Sequence, residues 1–71
     1  MEFDYSKLRG RIVEKFGSQR AFSSAEGTSQ QTVSLKMTNK IPFDQPTIER
    51  WCHLLDISLA DAGDYFFTPK V

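Results

Sequence analysis

Between Ser18 and Asn39 the chain reads SQRAFSSAEGTSQQTVSLKMTN, two helix-sized segments hinged on a single glycine. No other stretch limits the fold as much. Ser18 is placed to cap the first segment, because a serine oxygen accepts from the unpaired amides of an opening helical turn. Ala21, Phe22 and Ala25 fall at helical spacings and predict its inward face. Gly27 stands where the chain must leave that helix, and glycine tolerates the left-handed backbone found just past a helix end. Thr28 or Ser29 caps the second segment, and Val33 and Met37, four apart, anchor it inward. Two short helices joined by a tight glycine turn are the signature of a helix-turn-helix.

The flanking sequence predicts more helices. Asp4 or Ser6 starts one that runs to Phe16, with Tyr5, Leu8, Ile12 and Phe16 as its inward stripe and Val13 beside it. Its charged residues, Lys7, Arg9, Arg11, Glu14 and Lys15, form either a solvated face or a row of phosphate contacts. Gly17 ends it. Asp44 is a good cap for a fourth helix, with Pro46 in its first turn and Phe43 and Ile48 placed as a hydrophobic staple. Ile48, Trp51, Cys52 and Leu55 make its core stripe, which leaves His53 on the surface. Ser58 and Asp61 resemble a shortened capping box for a last helical turn. Of Tyr65, Phe66 and Phe67 at least one must fold back, and the others form an exposed apolar patch open to a partner. Residues 68–71 are expected to fray. The expected fold is all-α, a compact four- to five-helix bundle in one domain over residues 1–71.

Seventy-one residues with one cysteine and one histidine exclude an internal disulfide and a metal centre built on the Cys52–His53 pair. No apolar run reaches the roughly 20 residues that span a bilayer, and the N-terminus has no long apolar core of a signal peptide. A reducing, cytoplasmic setting fits. Nothing suggests an enzyme: there is no nucleophile–base–acid set, no phosphate-cradling glycine loop and little room for a pocket. No cofactor and no small-molecule substrate is expected. Charge is informative. The net charge is zero, but residues 1–40 hold seven Lys/Arg against four acids and residues 41–71 hold two against five. The half carrying the motif is mildly basic at +3, a weak electrostatic footprint for nucleic acid, and the other half is acidic at −3.

On the second helix of the motif, steps of about 100° gather Gln30, Gln31, Ser34, Leu35 and Thr38 into one outward arc. Glutamine pairs with adenine, serine and threonine with bases or phosphates, and an apolar side chain meets a thymine methyl. Leu35 on such an arc is also a candidate anchor for a protein interface.

Gln19, Gly27, Gln30 and Val33 fall where phage-repressor helix-turn-helices carry their leading glutamine, turn glycine, first recognition-helix glutamine and buried aliphatic. With the flanks FDYSKLRGRIVEKFGSQRAF, LKMTNKIPF and YFF, the chain resembles the small Cro-like and modulator-of-repression (antirepressor) proteins of temperate phages of Gram-positive bacteria. The resemblance implies a lambda-repressor-like fold and a role in the lysis–lysogeny switch. Two readings follow. In one, Gln30, Gln31, Ser34 and Thr38 enter a major groove while Gln19, Lys15, Arg20, Lys36 and Lys40 hold phosphates, as in a Cro-type repressor acting as a dimer. In the other, the same helix binds the cognate phage repressor and alters its DNA binding, with weak operator contact of its own; neutral charge, the acidic half and Leu35 favour it. An antitoxin or housekeeping regulator with this fold is a third, lesser possibility. Three positions depart from the family pattern: Glu26 and Thr28 around the turn, where apolar residues are usual, and Ser23, where alanine is. A buried, unpaired carboxylate is costly, so Glu26 is expected to reach water or a basic partner, and the turn to pack loosely.

Overall fold

The computed structural model describes residues 2–71. Among them five α-helices form: α1 (Ser6–Phe16), α2 (Gln19–Glu26), α3 (Gln30–Met37), α4 (Gln45–Leu55) and α5 (Ala62–Phe66), with a 3₁₀ turn at Leu59–Asp61 leading into α5. This is the expected all-α bundle. None of these helices is long and apolar enough to cross a membrane.

Each boundary has a local cause. At the start of α1 Tyr5 takes the cap position without a side-chain bond, while Asp4 Oδ1 just before it accepts from the Ser6 amide at 2.8 Å and the Ser6 hydroxyl at 2.6 Å. Those two bonds hold the Asp4 carboxyl below the ordinary aspartate range. The Asp44 carboxylate caps α4 by accepting from the Thr47 amide at 3.0 Å. At the far end of α4, Asp56 adopts a left-handed conformation at φ 56°. Arg11 covers that end from α1, its Nε donating to the Leu55 carbonyl and its Nη2 to the Asp56 carbonyl, both at 2.8 Å. Arg11 is therefore a clamp between α1 and α4 rather than part of a solvated face. Ser58 and Asp61 meet side chain to side chain at 3.2 Å, without a cap bond to the backbone.

The core is Leu8 and Ile12 of α1, Phe22 of α2, Val33 and Met37 of α3, Trp51, Cys52 and Leu55 of α4, and Phe66 of α5, all buried, with Tyr5, Ile57 and Ala62. Trp51 is its centre. The rings of Phe22, Phe43 and Phe66 stand edge-on to it at 4.7, 4.9 and 6.4 Å between centroids. Its indole N–H is buried without a hydrogen-bond partner among the described residues. Burial, and secondarily Glu49, pushes the Cys52 thiol up, which makes it a packing residue rather than a nucleophile.

Two expectations about burial and one about the C-terminal tail need correction. Val13 is half exposed, since it lies one residue off the seam formed by Leu8 and Ile12. Ala21 and Ala25 face solvent, and α2 instead buries Phe22 and Ser23. Ser23 fits because its hydroxyl donates to the Arg20 carbonyl at 2.7 Å, satisfying itself within its own helix. The C-terminal tail does not stand free: an antiparallel bridge joins Phe3 to Pro69, with Asp4 N–H donating to the Thr68 carbonyl and Lys70 N–H to the Glu2 carbonyl. Phe66 is the aromatic that folds inward, while Phe67 stays half exposed.

Candidate functional site

The helix-turn-helix is assembled by two serine caps and one glycine. Ser18 Oγ accepts from the Ala21 amide at 3.0 Å and Ser29 Oγ from the Thr32 amide at 3.1 Å, so Ser29 rather than Thr28 starts α3. Between them Gly27 takes φ 84°, and the amides of Gly27 and Thr28 both donate to the Ser23 carbonyl. This closes α2 and reverses the chain. Val33 and Met37, 0% and 4% exposed, then hold α3 against the core.

Glu26 lies at the end of α2 with its side chain only 4% exposed, and Arg50 of α4 donates to its Oε1 at 2.5 Å. The carboxylate has thus found a basic partner, and the pair straps α2 to α4 beside the turn.

The outward side of α3 presents Gln30, Gln31, Ser34 and Thr38 to solvent. Two of its expected features change in detail. Leu35 is half-buried rather than outward, and its carbonyl accepts from the amides of Lys40 and Ile41, which finishes the helix. The Thr38 hydroxyl donates back to the Ser34 carbonyl at 2.9 Å, and lies 3.3 Å from that of Leu35, so its oxygen is oriented by its own helix. Gln19 opens α2 half-buried, and Arg20 beside it is exposed.

The expected phosphate contacts are dispersed. Lys15 pairs with Asp56 at 3.5 Å, at the junction of α1 and α4. Lys36 is half-buried with its ammonium over the Phe43 ring, 5.6 Å from the centroid. Lys40 and Arg20 are exposed and make no ion pair among the described residues. Around α2 and α3, then, the cations of the site are Arg20, Lys36 and Lys40, a sparse set for holding a polyanion.

A shallow apolar groove of about 460 Å³ lies near the start of α4, lined by Phe43, Gln45, Ile48, Glu49, Leu59 and Phe67. Of the C-terminal aromatics expected to form an exposed patch only Phe67 is exposed, and it shares the rim with Leu59, which the sequence did not single out.

Sequence reasoning missed Asn39. It follows α3 with φ 65°, and its side chain accepts from the Phe3 amide and donates to the Phe3 carbonyl. An asparagine just after a helix end is a known signal for left-handed backbone; its partner 36 residues earlier has no local signal.

Comparisons with known proteins agree with this geometry. A family model described as "Protein of unknown function (DUF739)" matches residues 1–69. The solution structure of the modulator of repression of the temperate bacteriophage TP901-1 from Lactococcus lactis is similar over 100% of this chain and 96% of that one, with 42% sequence identity and a TM-score of 0.86. No curated protein matches the chain. With a family model spanning nearly its whole length and a full-length relative of that kind, the chain belongs to the DUF739 family and to the modulator-of-repression type of temperate-phage regulator.

Proposed function

We propose that the protein modulates the lysis–lysogeny switch of a temperate phage, in the cytoplasm of the bacterial host, by complexing the cognate phage repressor through the exposed face of α3. It is a binding protein without enzymatic activity, and its own contact with operator DNA is weak. The observation that carries this reading is the full-length likeness, at 42% identity, to a phage modulator of repression. The charge distribution supports it. Zero net charge, and only Arg20, Lys36 and Lys40 around the motif, leave little phosphate neutralisation, the term that dominates non-specific DNA affinity. A polar, nearly uncharged α3 face suits a protein partner, and an acidic C-terminal half suits the basic surface of a DNA-binding repressor.

A Cro-type repressor acting alone as a dimer is the second reading. It is favoured by the exposed Gln30 and Gln31 at the start of α3, where adenine-reading glutamines belong. Electrophoretic shifts on the phage switch region separate the two, using this protein alone, the repressor alone, and both. Loss or alteration of the repressor's shift on mixing, with no shift by this protein alone at the same concentration, is the expected result. A sequence-specific shift by this protein alone, weakened by about 1–3 kcal/mol in Gln30→Ala, is the result of the Cro-type reading and overturns the first.

A further inference from the structure

The chain ends meet the end of α3 through a single side chain. Asn39 Oδ1 accepts from the Phe3 amide at 2.9 Å and Asn39 Nδ2 donates to the Phe3 carbonyl at 3.0 Å. That is the two-point pairing a neighbouring strand would offer. On the opposite edge of the same segment, Asp4 N–H donates to the Thr68 carbonyl at 2.8 Å and Lys70 N–H to the Glu2 carbonyl at 3.1 Å. An extended segment alternates its backbone groups between its two edges. Residues 2–4 therefore lie between two partners, with the Asn39 side chain on one edge and the C-terminal tail on the other. The ring of Phe67, edge-on to Phe3 at 5.7 Å, and the Lys70–Glu2 ion pair at 3.4 Å reinforce the outer side.

We propose that Asn39 is a positioning residue, the pivot of a clasp that couples the paired chain ends to the last turn of α3. Thr38 and Lys40 flank it directly, so loosening the tail shifts the C-terminal part of the exposed α3 face. The consequence for partner binding rests on the proposed role of α3. The coupling itself does not, and the test uses the free protein so that the two fail separately.

A bland account exists: asparagine stands here only because it tolerates left-handed backbone. Glycine tolerates it better and makes neither bond. Asn39→Gly therefore keeps the backbone and removes the clasp, and Asn39→Asp keeps shape and φ tolerance while replacing the donor with an acceptor facing the Phe3 carbonyl. In amide hydrogen exchange by NMR, both variants are expected to speed exchange at Asp4 and Lys70, which Asn39 does not touch, at least tenfold. Coupling is reciprocal. Lys70→Pro, which removes the tail's donor to Glu2 at an exposed position, is expected to speed exchange of the Phe3 amide and of the Asn39 side-chain amide by a similar factor. All three variants are expected to move the Thr38 and Lys40 backbone signals. Unchanged exchange at Asp4 and Lys70 in Asn39→Gly, or an unchanged Asn39 side-chain amide in Lys70→Pro, overturns the proposal.

Discussion

Glu26 shows what single residues contribute here. A carboxylate with a side chain 4% exposed is costly without a partner, and its partner Arg50 is itself about half in water, with a side chain 53% exposed. Water at the arginine end screens the pair, so its net worth sits at the lower end of the buried range. Arg50→Ala is expected to lower stability by about 1–3 kcal/mol, read from the urea midpoint. Replacing both residues with leucine is expected to recover most of that loss, since the penalty comes from orphaning the carboxylate. An unchanged midpoint in Arg50→Ala would contradict this account of the α2–α4 junction. Glu26 was visible in the sequence as an anomaly of the motif, but Arg50 was not, being 24 residues away on a helix whose crossing angle no local pattern encodes. Ala21 and Ala25 were misplaced for a related reason. Alanine buries so little area that its spacing barely constrains which way a helix turns, and Phe22 decided the matter.

Among the elements, the helix-turn-helix was the most legible. Ser18, Gly27 and Ser29 are local signals, and caps and turns are settled by residues a few positions apart. Gly27 carries the sharpest consequence. A Cβ built there meets nothing within 4 Å, so the cost of adding one is that of holding φ 84° alone. Gly27→Ala is expected to destabilise by about 1–2 kcal/mol in a thermal or denaturant melt, with no change in the core. A neutral effect would mean that the turn relaxes. Less legible were features that depend on what another element brings. Leu35 reads as outward from its helix angle, yet is half-buried where the chain wraps back through Lys40 and Ile41. Arg11 reads as one cation on a charged helix, yet it closes the end of α4. The pairing of residues 2–4 with 68–70 joins the two ends of the chain, and short polar termini carry no periodicity from which to foresee it.

For the whole molecule, the ion pairs do not erase the charge split along the sequence. Lys15–Asp56 sets a base of the first 40 residues against an acid of the remainder, whereas Glu26–Arg50 and Lys70–Glu2 join an acid of the basic half to a base of the acidic one. Around α2 and α3 the cations are Arg20, Lys36 and Lys40, so the exposed α3 face is polar rather than strongly cationic. Such a surface docks by shape and hydrogen bonding more than by charge, as a repressor-binding protein requires and a DNA-binding protein acting alone does not. The most direct test follows the backbone amides of the isotope-labelled protein by NMR as unlabelled cognate repressor is added. The account predicts the largest shifts at Gln30, Gln31, Ser34 and Thr38, with the outer surface of α1 unmoved. Shifts confined to α1 and α4, with those four residues unperturbed at saturation, would contradict it.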